Sequence, residues 1–307
     1  MAIYLDFVGL NTLVYENVTS SLNLIGGFDS YPDPPRAVEN PVTTEGATGL
    51  QKASSLSHST TGGFSVSFWI KGWQTFGAVY DEQGANISNS LTALGVGGGF
   101  VNVSFKVTSQ GGSTGNLRDF TFITSDVDFS DWTHVVVVWN GKLQTSSSPE
   151  ARIYINGVLK DIQNGTLTGT TAANDTRFPI GGTGLRLMDL YSSSGFGELG
   201  GSLTDLAIWK VELSEAKVQE LYNNGSPFDI STLSYSSTEV EDYWRLGAEP
   251  ELKNLDIGAS IPGGLTIDSI LGQTNSLQFQ GSFCKISKGK EPYLVCSSLQ
   301  NLNKSPY

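Results

Sequence analysis

The most constraining feature of the chain is one segment, Trp132-Thr133-His134-Val135-Val136-Val137-Val138-Trp139. It is apolar at successive positions, so a strand here needs cover on both faces and belongs in the centre of a sheet. Asn140-Gly141 follows as a turn signal. Ala151 to Ile155 and Val158 to Asp161 then flank Asn156-Gly157. Asn-Gly between two alternating runs predicts a tight hairpin, because both residues tolerate the positive φ of a type I′ turn.

Other segments share the period of two. Phe64, Val66, Phe68 and Ile70 alternate with Ser65, Ser67, Trp69 and Lys71. Strand patterns continue at 76–80, 100–107, 120–123, 201–209, 242–246 and 276–280, separated by glycine-rich breaks such as Gly95 to Gly99. One helix is expected, from Ser214 as N-cap to Tyr222, with Asn223, Asn224 and Gly225 as its stop. Many short strands with one helix predict an all-β antiparallel sandwich or jelly roll.

Composition narrows the function classes. The 307 residues carry a net charge of −12 and only 16% charged residues, which argues against nucleic acid or an anionic membrane as partner. No run approaches the ~20 apolar residues of a membrane-spanning helix. The opening Met1-Ala2-Ile3-Tyr4-Leu5-Asp6-Phe7 alternates like a strand and lacks the basic and apolar regions of a secretory signal. Synthesis in a cytoplasm is therefore expected, with N-x-[ST] sequons such as those at Asn17, Asn86, Asn102, Asn164 and Asn174 read as chance. Cys284 and Cys296 are too few for a disulfide framework or zinc site. A bridge between them and two reduced thiols both remain open.

The chain divides into three parts. Residues 1–63 hold an N-terminal strand and a long Pro/Ser/Thr-rich loop, whose Pro32, Pro34, Pro35 and Pro41 argue against ladder or helix. That loop reads either as an insertion or as an arm on a neighbouring subunit. Residues 64–230 hold the sandwich core, and residues 231–307 hold further strands and a tail. From 281 onward the tail has Lys285, Lys288, Lys290 and Lys304 against Glu291, a basic end on an acidic body.

Four stretches, in order, resemble the concanavalin A-like, laminin-G-like lectin/glucanase family: Phe64 to Ile70, Trp132 to Val137, Ile153 to Val158, and Gly201 to Trp209 followed by Leu213-Ser214 and Leu221-Tyr222-Asn223. Tyr243-Trp244-Arg245-Leu246-Gly247 and Leu277-Gln278-Phe279-Gln280-Gly281 look like the family's opening strands but stand near the C-terminus. They either close a permuted sandwich or begin a truncated second module. The layout is similar to laminin-G-like proteins of tailed bacteriophages, where such chains are virion proteins of capsid surface or tail.

The resemblance frames the candidate chemistry. Glycoside hydrolysis needs two carboxylates ~5 Å apart in a retaining enzyme. Glu239-Val240-Glu241-Asp242 is the one candidate, outside the core strands and read as a solvated strand end. His58 and His134 have no nucleophile context, and His134 reads as a packed residue. The resemblance leaves calcium open as the one cofactor, with Asp81, Glu82, Asn174 and Asp175 as loop oxygens. Trp69, Trp132, Trp139, Trp209 and Trp244 fall in strand patterns and read as core. Trp73 is expected to be the exposed one that stacks on sugar. No catalytic, cofactor-binding or metal residue is assigned. The expected role is a non-enzymatic virion structural protein, a capsid decoration or tail component. It touches other virion proteins or its own copies, with a weak contact to host-surface glycan. The alternative is a free-standing carbohydrate-binding lectin.

Overall fold

The computed structural model describes residues 36–40, 49–51, 63–74, 77–84, 87–98, 100–108, 117–142, 150–164, 166–168, 185–188, 199–272, 276–280 and 284–289. Along the chain the strands are β1 Arg36–Asn40, β2 Leu50–Gln51, β3 Phe64–Lys71, β4 Ala78–Gly84, β5 Ile87–Gly97, β6 Phe100–Thr108, β7 Leu117–Phe122, β8 Thr133–Trp139, β9 Ala151–Ile155, β10 Val158–Gln163, β11 Thr166–Thr168, β12 Leu185–Leu187 and β13 Gly201–Trp209. Helix α1 Glu215–Tyr222 and the single turn α2 Ser236–Glu239 follow, then β14 Val240–Trp244, β15 Thr266–Asp268, β16 Leu271–Gly272, β17 Ser276–Phe279 and β18 Lys285–Lys288. No helix among the described residues is long and apolar enough to cross a membrane.

The strands form two antiparallel sheets. One runs β10-β9-β8-β3-β13-β1-β18, with β14 also on β13 and β16 on β14; the other runs β11-β7-β6-β5-β4-β12-β2-β17-β15. Their inner faces bury one apolar core. Phe64 reaches across to Phe105, with ring centroids 5.6 Å apart, and to Tyr80 at 6.5 Å.

The central segment behaves as its composition demands. Val135, Val137 and Trp139 face this core, while Val136 and Val138 join a second apolar cluster under α1 with Trp209, Val218 and Leu221. Ser214 caps α1 through the Lys217 amide, and Asn223 ends it with φ 45°. The hairpin turn has Asn156 at φ 51° and Gly157 at φ 77°. Asn156 also locks the turn to β8, accepting from the His134 amide at 2.9 Å and donating its own amide to the His134 carbonyl at 2.8 Å.

Several expectations need correction. The loop between the early prolines holds β1, because the five residues between Pro35 and Pro41 keep their amides and pair with both β13 and β18. Residues 240–242 are a sheet strand rather than a solvated end: Glu241 and Asp242 are buried, and Asp242 sits opposite Ile208. Lys285 and Lys288 belong to β18, within the sheet. Strand β5 was not expected, since its Ser, Thr and Gly content hid the alternation, nor was β12, whose three residues Leu185-Arg186-Leu187 are too few to show a period. The expected strand at residues 2–7, His58, Asn174, Asp175, Cys296, Lys290, Glu291 and Lys304 lie outside the described residues; Cys284 is buried.

His134 packs beneath α1, its ring 4.9 Å from that of Trp69 and 6.0 Å from that of Tyr222. Burial pushes its pKa down to about 3, so it is neutral in the fold. The unfolded side chain titrates near ~6.5. Its contribution to stability is therefore complete above that value and is lost as pH falls toward 3, with a maximum on the order of 5 kcal/mol. His134→Phe should flatten the fall in stability between pH ~6.5 and ~4, measured by urea unfolding across that range.

Candidate functional site

One end of the sandwich carries an open groove of about 420 Å³. Three chain segments build it: residues 72–74 just after β3, the β5–β6 turn at Gly98, and the loop that leads into β8, residues 127–130. The loop is stitched to the sheet beneath it. Thr124 donates its hydroxyl to the Val101 carbonyl at 2.8 Å and its amide to the Asn102 side chain at 3.1 Å. The Val127 amide returns to the Thr124 carbonyl, and the Gly72 amide donates to the Phe129 carbonyl at 2.6 Å. The groove therefore rests on fixed backbone rather than on free loops.

Trp73 forms its floor. It is only 3% exposed, packed edge-on against Phe68 and Phe129 with centroids 5.6 and 5.4 Å away, and its Nε1 donates to the Gly77 carbonyl at 2.9 Å. The expectation of an exposed Trp73 is thus overturned, because its indole N–H finds a buried partner and its ring packs against Phe68 and Phe129. The exposed aromatic is Phe100, at 48%. It opens β6 on the parity of Asn102, Ser104 and Lys106, opposite to the buried Val101, Val103, Phe105 and Val107. Sequence reasoning missed it, although the signal was present: an aromatic on the polar register of a strand, next to a glycine run that gives it no cover.

The polar groups of the groove are Gln74, Asp128 and Ser130, all exposed. Asp128 accepts from the Ser130 amide at 2.8 Å, and the Ser130 hydroxyl and amide hold its carboxyl below the usual range. The groove thus offers an aromatic plate, an amide, a hydroxyl and one carboxylate in a shallow, wet cleft. Such a set suits stacking on a ring and hydrogen bonding to hydroxyls.

The remaining candidates stand elsewhere. Asp81 is fully buried within β4, directly opposite Ser90 and Arg186, so it is a sheet residue rather than a rim-loop ligand. Glu82 lies in the same strand. Among the described residues no cluster of three or more His, Cys, Asp or Glu is arranged to hold a metal. Glu239 pairs with Lys217 at 2.5 Å, far along the chain from the groove. Trp69, Trp139, Trp209 and Trp244 are buried; Trp132 falls just before β8 and is half-buried. Trp73→Phe should lose the bond to Gly77 and leave a void where part of the indole packed, costing about 2–4 kcal/mol in a thermal or urea melt.

A sequence profile described as the concanavalin A-like lectin/glucanases superfamily matches residues 45–219. No curated protein matches the sequence. Among solved structures, a Bacteroides ovatus protein provisionally described as carbohydrate-binding superposes with TM-score 0.52 at 14% identity, covering 84% of this chain and 61% of that one. A heptameric SAP-like pentraxin from Limulus polyphemus gives TM-score 0.46 at 13% identity, covering 86% and 98%. The enzymatically active domain of tailspike protein 2 of bacteriophage CBA120 gives 0.41 at 12%, covering 73% and 35%. At these identities the likeness is one of fold.

Proposed function

The chain belongs to the concanavalin A-like lectin/glucanases superfamily, and from that premise we propose that it is a non-enzymatic recognition module that holds glycan in the rim groove. The observation that carries this reading is Phe100, a large aromatic left half exposed at the start of β6, lining a cleft with Gln74, Asp128 and Ser130. Burying such a ring against the apolar face of a pyranose repays its exposure.

Two features favour binding over hydrolysis. Among the described lining residues Asp128 is the one carboxylate, whereas glycosidases work with a pair. The acidic run at 239–242 is committed elsewhere, to an ion pair and to the interior of a sheet.

The setting we propose is the particle of a tailed bacteriophage, on the capsid surface or in the tail. There the module would sit among other virion proteins or copies of itself and touch host-surface glycan. This part rests on the resemblance of the sequence to laminin-G-like phage proteins. A free-standing lectin is the alternative, and mass spectrometry of purified particles separates the two: the chain is recovered with the particle in one case and absent in the other.

For the groove itself, Phe100→Ala should weaken binding of a captured glycan about tenfold or more by calorimetry. The melting temperature should stay within a degree or two, because the ring is not part of the core. Equal affinity of wild type and variant would remove the groove from consideration.

A further inference from the structure

The charge of the groove rests on one residue. Asp128 is the single charged side chain among the described lining residues; the others are glycine, aromatic, Val127, Gln74 and Ser130. The loop that bears it adds more negative charge than positive. Asp126 is engaged by Lys160 at 2.6 Å, and Asp131 turns back to accept the Trp132 amide at 2.7 Å. Lys71, the last residue of β3, precedes Gly72 but does not line the groove. Asp128 cannot swing away at no cost, because the Ser130 amide fixes it.

We propose that the groove selects by charge, accepting neutral and amino sugars and excluding uronic and sialic acids. The inference rests on the glycan reading above. A carboxylate offers about four lone-pair sites, and the Ser130 hydroxyl and amide use two of them, so sugar hydroxyls can donate to the rest. An ammonium donates with the added strength of opposite charge. A second carboxylate brought into the same cleft meets like charge with no cation among the described lining residues to offset it, and the body's net charge of −12 adds a weaker field of the same sign.

The test uses the full chain and matched methyl glycosides of glucose, glucosamine and glucuronic acid, or longer oligomers of each, by calorimetry. The glucuronide should bind about tenfold or more weakly than the glucoside, and the gap should narrow with added salt. Asp128→Asn is the decisive variant. Its side-chain oxygen still accepts the Ser130 amide, so the turn and the melting temperature are kept while the charge is lost. Neutral-sugar affinity should fall severalfold, because an amide oxygen is a weaker acceptor than a carboxylate, while the ratio of glucoside to glucuronide affinity should approach one.

A glucuronide that binds wild type as tightly as the glucoside overturns the charge selection while leaving the groove intact. So does a penalty that persists unchanged in Asp128→Asn. Sugar binding that Phe100→Ala does not weaken moves the site elsewhere, and absence of binding by all three series defeats the glycan reading and this inference together.

Discussion

The structure hangs on a buried polar junction at Asp205. Strand β13 is too long for one neighbour on its outer edge: β1 pairs with its first half, at Gly201 to Leu203, and β14 with its second, at Leu206 to Trp209. Between them Asp205 turns to φ 50°, and the ladder to β3 shifts register. The backbone groups exposed by that handover need partners in a dry interior. Thr204 donates its hydroxyl to the Arg245 carbonyl at 2.7 Å, and the Asp205 amide donates to the same carbonyl at 3.2 Å. The Asp205 carboxylate accepts from Tyr243 Oη at 2.7 Å, while Arg245 reaches Asp229 at 3.3 Å. Just beyond, Leu246 has φ 53°, strained for a branched side chain. Glu249 holds it there, accepting the Leu246 and Gly247 amides at 2.6 and 2.7 Å. Burial pushes the Glu249 carboxyl up despite those two donors.

This junction also reaches the groove. Gly201, the first residue of β13, lies against the Lys71 and Gly72 carbonyls so closely that a side chain has no room. The start of β13 therefore fixes where β3 ends, and so where Gly72, Trp73 and Gln74 begin the groove wall. The opposite wall is set by the stitching of the 123–130 loop to β6. For the glycan binding proposed above, a groove assembled this way is preorganised, and little ordering entropy is left to lose on binding.

Much of this was legible in the sequence, and the misses have physical causes. Alternation and the Asn-Gly turn located β3, β8, β9, β10 and β13, because burial of one or both faces writes a period of two. The cap residues located α1. Where the period is carried by Ser and Thr rather than charged side chains, as in β5, the contrast is weak and the strand was overlooked. The fate of the tryptophans was read correctly for Trp69, Trp139, Trp209 and Trp244. It failed at Trp73, because a flanking sequence cannot say that Phe68 and Phe129 close over a ring from two directions. The groove is assembled from segments some thirty residues apart, so neither its aromatic plate nor its carboxylate stood out as a motif. The acidic run at 239–242 looked solvated because tertiary pairing with β13 outweighs its polarity.

The shared edge of β13 also sets an order in time. β1, which occupies half of that edge, is made early, whereas its other neighbour, β18, and the tenant of the second half, β14, are made last. A nascent chain thus carries the sandwich core with one edge of β13 half open until residues past 240 have left the ribosome, and with the outer edge of β1 unpaired until residues past 285 have done so. About 80 further residues, at 5–20 per second, make that interval about 4–16 s. Contacts that span most of the chain must then form against the entropy of closing the loop between them. The assembly pathway of this sandwich is therefore governed by its sequence-distant strands, and its window for aberrant edge pairing closes only with the last of them.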